Sequence, residues 1–207
     1  MVRNLKTKLL KENQIAEASE LLLNGEVLAF PTETVFGLGV IYDNFEAFNK
    51  LVKAKKRPAD KPFTLMCSDI FQIEQVAIIN EKAKKIIERL MPGELTLLLK
   101  PKDNVYPWVN LNTDKIGVRI PNHKYALNLI RFVGKPLLVP SANPSNEPPA
   151  LDYIEAIKYF DGQIAGIVQS ESNKQKPSTI IDLTGTDIKL IREGNISLND
   201  ILNILED

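Results

Sequence analysis

Several short segments of this chain concentrate side chains that neutralise anions. Thr32-Glu33-Thr34 follows an apolar run and Pro31, and Gly37 and Gly39 come soon after. The segment Lys53-Ala54-Lys55-Lys56-Arg57-Pro58-Ala59-Asp60-Lys61-Pro62 carries five positive charges in ten residues, and its two prolines fix where those charges point. Arg119 lies inside the apolar run Ile116-Gly117-Val118-Arg119-Ile120. Pro140-Ser141-Ala142-Asn143 follows Leu137-Leu138-Val139, Ser178-Thr179 opens a further apolar stretch, and Arg192 closes one. Guanidinium, ammonium and small hydroxyl groups suit the binding of carboxylates and phosphates.

Two of these segments have competing explanations. The basic run around Lys55 is either a solvated helix C-terminus, which the helix dipole favours, or part of an anion site. Arg119 is costly to bury unless it meets an anion, either a ligand or an internal partner among Glu33, Glu94 and Asp182. Glu33 is assigned a supporting role, pairing with Arg119 or Lys55.

Other chemistries are poorly supplied. A single histidine, His123, disfavours a Ser-His-Asp triad or a histidine metal cage. Ser141 lacks the flanking glycines of a nucleophile elbow. The lone cysteine, Cys67, sits in Phe63-Thr64-Leu65-Met66-Cys67 and reads as a buried strand residue. Neither a Gly-x-x-x-x-Gly-Lys loop nor a Gly-x-Gly-x-x-Gly fingerprint occurs, so a nucleotide would be held by scattered donors.

These residues need a scaffold, and the pattern supplies alternating helices and strands. Ile15, Ala18 and Leu22 form a helical stripe ended by Gly25, and Asn44, Asp69, Asn80 and Ser197 are placed to cap helices. Helices are expected near 123–132 and 152–160, and strands near 26–30, 95–99, 116–120, 137–139, 165–168, 178–183 and 188–192. Some neighbouring strands lack room for a helical crossover, which predicts an open sheet of mixed direction. The 101–115 loop, with its proline, asparagines and tryptophan, reads as a flap. Functional groups at strand ends point to a ligand site where loops converge.

With 207 residues, 44% hydrophobic and 25% charged, the chain is expected to form a single domain spanning 1–207. The 26 basic and 26 acidic residues cancel, so any basic surface is local. No signal peptide and no apolar run near eighteen residues is present, which predicts a cytoplasmic protein without a membrane partner.

In sequence order, Pro31-Thr32-Glu33-Thr34-Val35-Phe36-Gly37-Leu38-Gly39, Lys55-x-Arg57-Pro58, Pro92-Gly93-x-x-Thr96, Gly117-Val118-Arg119-Ile120-Pro121, Pro140-Ser141-Ala142-Asn143 and Ser178-Thr179-Ile180-Ile181-Asp182 resemble the YrdC family. The resemblance covers roughly residues 10–195. It implies a twisted open mixed α/β sheet with helices on its faces around a concave basic pocket. It also implies a nucleotidyltransferase that makes threonylcarbamoyl-AMP from L-threonine, bicarbonate and ATP, releasing pyrophosphate, for threonylcarbamoyladenosine modification of tRNA beside the anticodon. The implied threonine contacts are Thr32, Thr34, Arg119, Val139 and Ser178. Those for ATP are Lys55, Arg57, Lys61, Lys115, Ser141, Asn143, Pro149 and Arg192, with Lys55 and Arg57 catalytic. Mg2+ is expected to arrive with ATP, no metal site of the protein's own is expected, and a downstream threonylcarbamoyl-transfer machinery is the implied partner.

The chain departs from many long members at Met66, where they carry a histidine, and is expected to do without their extra C-terminal domain. Lys61 matches the short bacterial members instead. The alternatives are a module binding double-stranded RNA or tRNA through the same basic concavity, and a paralogous carbamoyl-adenylate-forming enzyme of the same fold.

Overall fold

Helix starts in this protein are set by polar side chains that accept backbone N–H groups otherwise left without partners. Asn44 accepts from Ala47 at 3.0 Å, Asp69 from Gln72 at 3.0 Å, Asn80 from Ala83 at 2.8 Å and Asp152 from Glu155 at 2.8 Å. Ser197 likewise accepts from Asp200, so each expected cap is in use. The computed structural model describes residues 6–56, 62–172 and 176–206.

In chain order the elements are β1 (Lys8–Leu10), α1 (Ile15–Leu23), β2 (Leu28–Phe30), β3 (Gly37–Ile41), α2 (Phe45–Lys55), β4 (Leu65–Met66), α3 (Ile70–Val76), β5 (Ala77–Ile78), α4 (Glu81–Leu90) and β6 (Leu95–Pro101). There follow α5 (Pro107–Asn110), β7 (Ile116–Arg119), α6 (Lys124–Val133), β8 (Leu137–Leu138), α7 (Tyr153–Phe160), β9 (Gly166–Val168), β10 (Thr179–Asp182), β11 (Lys189–Arg192) and α8 (Leu198–Glu206). The strands form one open sheet in the order β1-β9-β2-β3-β8-β4-β7-β6-β10-β11, and β5 pairs with β6 beside that path. Directions are mixed, as expected. β4 runs parallel to β7 and β6 parallel to β10, whereas β2 with β3, β3 with β8 and β6 with β7 are antiparallel.

Alternation along the strands decides which side of the sheet can hold a ligand. Leu95, Leu97, Leu99, Ile116, Val118, Thr179 and Ile181 are buried on one side. On the other, Leu98, Gly117 and Ile180 are only half-buried, so this face is less completely covered. Gly117 adds no side chain to this face, and a Cβ there would make only ordinary contacts, 3.4 Å from Leu98, 3.6 Å from Thr64 and 3.7 Å from Thr96.

The structure adds three strands to the expected elements and changes one loop. Gly37–Ile41 is a fully buried strand that the sequence pattern did not reveal. Its glycines defeat a propensity reading, but they are needed for packing: a Cβ on Gly39 would lie 2.5 Å from the ring of the fully buried Phe30. The short strands β1 and β5 carry too few residues to show a period. The 101–115 loop is not a flap over the site. It contains α5, Trp108 donates its indole N–H to the Tyr42 carbonyl at 2.9 Å, and Trp108 stacks on Tyr106 with ring centres 4.7 Å apart. No described helix is long and apolar enough to cross a membrane.

Gly39→Ala is expected to destabilise the fold by about 1–3 kcal/mol, because the stiff Phe30 ring cannot yield without disturbing the core. Urea denaturation checks this, and an unchanged midpoint would show that the β2–β3 contact has slack.

Candidate functional site

A cavity of about 430 Å³ opens on the less covered side of the sheet. The turn after β2 contributes Thr32, Thr34, Val35, Phe36 and Gly37, and Pro62, Phe63, Thr64 and Met66 come from the segment leading into β4. Thr96, Arg119 and Ile180 stand on the sheet itself. Val139, Pro140, Ser141 and Pro149 form another wall, with Pro177, Ser178 and Arg192 opposite. No described lining residue carries a carboxylate.

Arg119 sits at the end of β7 with its side chain 5% exposed. Its Nε donates to the Gly93 carbonyl at 3.2 Å and its Nη2 to Glu33 Oε1 at 2.6 Å. Of the three internal partners open from the sequence, Glu33 is therefore the one that pairs. Glu94 accepts from Asn195 at 2.6 Å, and Asp182 accepts from Lys115 at 2.7 Å. Arg192 is exposed at the rim and turns inward, donating from Nε to the Ser178 carbonyl at 3.0 Å and from Nη2 to Ser178 Oγ at 3.2 Å. Partial burial, followed by the nearby charge of Arg119, holds the Arg192 guanidinium below its ordinary pKa. Two cations within mutual reach thus favour an anion entering the cavity.

The hydroxyls are ordered by their own bonds. Thr32 Oγ1 donates to the Val35 carbonyl at 2.7 Å. A hydroxyl has one proton, so the 3.1 Å contact between Thr32 and Thr34 is donated by Thr34, which leaves Thr34 Oγ1 with lone pairs for a ligand. Ser178 Oγ lies 3.0 Å from Thr96 Oγ1 and also accepts from Arg192.

Thr32, Thr34, Arg119, Val139, Ser141, Pro149, Ser178 and Arg192 are brought together on one cavity as the sequence suggested. Lys55 and Asn143 stand behind the wall. Lys55 is 2% exposed, and its ammonium donates to the Ser141 carbonyl at 2.6 Å and to Asn143 Oδ1 at 3.0 Å. Asn143 Oδ1 also accepts from Ser141 Oγ at 2.6 Å, and its amide nitrogen donates to the Glu147 carbonyl at 2.6 Å. Both side chains therefore shape the Ser141 turn. Lys115 does not line the cavity either. It stands two positions before Gly117, tied to Asp182, whose burial pushes its carboxyl up but whose hydrogen bonds from Lys115 and Thr184 outweigh that and hold it below the usual range. Arg57 and Lys61 lie outside the described residues.

Some lining residues had no role in the sequence reading. Thr96 lies within the Pro92-Gly93-x-x-Thr96 motif, and Thr64 and Met66 alternate into the cavity beside Cys67, which stays in the core. Burial pushes the Cys67 thiol up, so it is not a nucleophile here. Met66 lines the wall where the departure from longer proteins falls, next to Arg119 in the β4–β7 register. Among the described residues no cluster of three or more His, Cys, Asp or Glu side chains could hold a metal.

A recessed guanidinium, hydroxyls and a wall free of described carboxylates define an α/β protein with a pocket for small anionic ligands. The Sua5_yciO_yrdC family model, described as Telomere recombination, matches residues 20–194, and the chain belongs to that family. It is 40% identical over 191 residues to the threonylcarbamoyl-AMP synthase of Bacillus subtilis, covering 91% of this chain and 55% of that protein. With the protein of the same name from Pyrococcus abyssi the identity is 36% over 199 residues, covering 95% and 58%. The chain thus spans a little over half the length of these relatives. The crystal structure of P. abyssi Sua5 complexed with L-threonine superposes with a TM-score of 0.91 at 33% identity, covering 96% of this chain and 60% of that one. Escherichia coli YciO shares the fold with a TM-score of 0.87 at 24% identity, covering 94% and 99%.

Lys55→Met is expected to lower stability by about 1–3 kcal/mol, since the Ser141 carbonyl and Asn143 Oδ1 lose the ammonium in a buried setting. Urea melts of the variant test it. A midpoint equal to that of the unaltered protein would show that the turn holds without Lys55.

Proposed function

We propose that the protein is a nucleotidyltransferase that makes threonylcarbamoyl-AMP from L-threonine, bicarbonate and ATP. The observation that carries this reading is the recessed Arg119 beside Arg192 in a cavity whose described wall has no carboxylate. The names of the relatives and the threonine-bound state of the P. abyssi protein support the choice of ligands.

The chemistry asks more of charge neutralisation than of proton transfer. The threonine nitrogen attacks the carbon of bicarbonate, forming a carbamate with loss of water. A carbamate oxygen then attacks the α-phosphorus of ATP, forming the acyl-phosphate bond while the bond to pyrophosphate breaks. In this scheme Arg119 takes the amino-acid carboxylate, a bidentate match for its fork. Thr34 and Ser178 receive the amine and hydroxyl, with Thr32 ordering Thr34 and Val139 supplying apolar wall. Ser141, Pro149 and Arg192 face the nucleotide, to which the sequence motif also assigns Arg57 and Lys61, and Lys55 and Asn143 hold the Ser141 turn in place. A described wall without carboxylates also leaves the amine no acid to pair with, which favours its neutral, nucleophilic form beside two arginines. Magnesium enters as part of the nucleotide substrate, bound through phosphate oxygens, because the described lining offers it no charged ligand. The product would pass to a threonylcarbamoyl-transfer machinery that modifies tRNA, and the site of reaction would be the cytoplasm.

A double-stranded RNA module is the second reading. An RNA backbone needs cations that project, whereas Arg119 is recessed and committed on one edge to Glu33 and Gly93.

Incubation of the protein with L-threonine, bicarbonate and Mg-ATP is expected to release pyrophosphate only when threonine is present. Absence of threonine-dependent release contradicts the assignment. Arg119→Ala is expected to raise the threonine KM by roughly a hundredfold, as loss of a charge-assisted pair of about 2–3 kcal/mol implies, while the ATP KM stays within about threefold. Equal rises in both constants would remove Arg119 from the threonine subsite.

A further inference from the structure

Glu33 touches the cavity only through Arg119. Its side chain is 9% exposed, it is absent from the cavity lining, and it lies next to two residues that do line it, Thr32 and Thr34. Through a single oxygen, Oε1, it accepts both Arg119 Nη2 at 2.6 Å and the Asn122 backbone N–H at 2.8 Å. Its other oxygen, Oε2, is buried and has no hydrogen-bond partner among the described residues.

The geometry of the guanidinium makes this arrangement directional. Nε–H and one Nη2–H share an edge of the plane, and that edge is used up by Gly93 and Glu33. The remaining fork, formed by Nη1 and the second Nη2–H, makes no hydrogen bond within the described protein and is the pair whose spacing matches a carboxylate. Glu33 also subtracts charge. A paired arginine attracts an anion less than a bare one, so what Glu33 contributes is the direction of the fork. Its own position is fixed by Asn122, at the turn entering α6, which ties the turn after β2 to the far end of β7.

We propose that Glu33 is a positioning residue for amino-acid recognition: it holds Arg119 so that the free fork of the guanidinium faces the substrate carboxylate. The proposal rests on the reading of this cavity as a threonine site. It separates two properties of Glu33, its hydrogen-bond geometry and its charge. Because Oε1 makes both bonds and Oε2 makes none with the described residues, Glu33→Gln can keep both bonds with its amide oxygen and place its nitrogen where no partner is lost. Glu33→Ala keeps neither bond. Glu33→Asp keeps the charge but draws the oxygen back by one methylene.

Calorimetric titration of L-threonine into the unaltered protein and these variants tests the proposal, with Mg-ATP titrated in parallel and thermal melts recorded. Glu33→Ala and Glu33→Asp are each expected to weaken threonine by roughly tenfold or more, and Glu33→Gln to stay within about threefold of the unaltered protein, with ATP affinity little changed. Where Glu33→Ala does not fold, the Asp and Gln pair carries the comparison alone. In an Arg119→Gln background, replacing Glu33 by Gln or Asp is expected to have no further effect on threonine. Equal weakening by Asp and Gln, no weakening by Asp, or losses that add to that of Arg119→Gln overturn the positioning role. Failure of the unaltered protein to bind threonine while it binds ATP overturns the threonine reading itself, which separates the two failures.

Discussion

A guanidinium with a 5% exposed side chain stays buried here because one carboxylate and one carbonyl meet it on the same edge. Burying such a charge without partners would cost several kcal/mol, and removing one partner of a buried pair typically costs about 3–5 kcal/mol. The Arg119–Glu33 pair therefore does more than neutralise. It connects the turn after β2 to the end of β7, across the ends of β3, β8 and β4, which lie between those strands in the sheet. Thr32 and Thr34 are part of the same turn, so the position of the hydroxyls and that of the guanidinium are set together.

The rest of the site follows from leaving one face of the sheet less covered. Thr96 and Ile180 form part of the cavity floor on that face, and Ser178 and Arg192 reach in from the β10 side. The opposite face buries Leu95, Leu97, Val118 and Ile181 in the hydrophobic core, which gives the floor its rigidity. Behind the Ser141 wall, the buried ammonium of Lys55 and the fully engaged amide of Asn143 hold a turn that carries little regular structure of its own. Two of the cavity walls are thus each held by a buried polar group that itself stands outside the lining, Glu33 behind Arg119 and Lys55 behind Ser141.

Much of this was legible in the residues. The caps at Asn44, Asp69, Asn80 and Ser197 are local, three-residue signals, and an arginine within an apolar strand announces a buried counter-charge even before its partner is known. The partner itself was not legible, because Glu33, Glu94 and Asp182 differ only in tertiary position, and the pair that forms joins residues 86 apart. Lys55 and Asn143 carry the right groups for a phosphate, but whether an ammonium faces a cavity or a neighbouring carbonyl depends on packing that no spacing encodes. Lys115 was drawn aside in the same way by Asp182. The strand Gly37–Ile41 was hidden because glycine weakens a strand pattern, while the ring of Phe30 requires it.

The account stands on the free fork of Arg119 being the place where the amino-acid carboxylate binds. A crystal structure of the protein soaked with L-threonine and Mg-ATP tests this most directly. The predicted result is a threonine carboxylate lying in the guanidinium plane, bonded to Nη1 and Nη2 of Arg119 while Glu33 keeps its place on the other edge. Threonine bound elsewhere, with that fork in contact with a phosphate or with water alone, would contradict it.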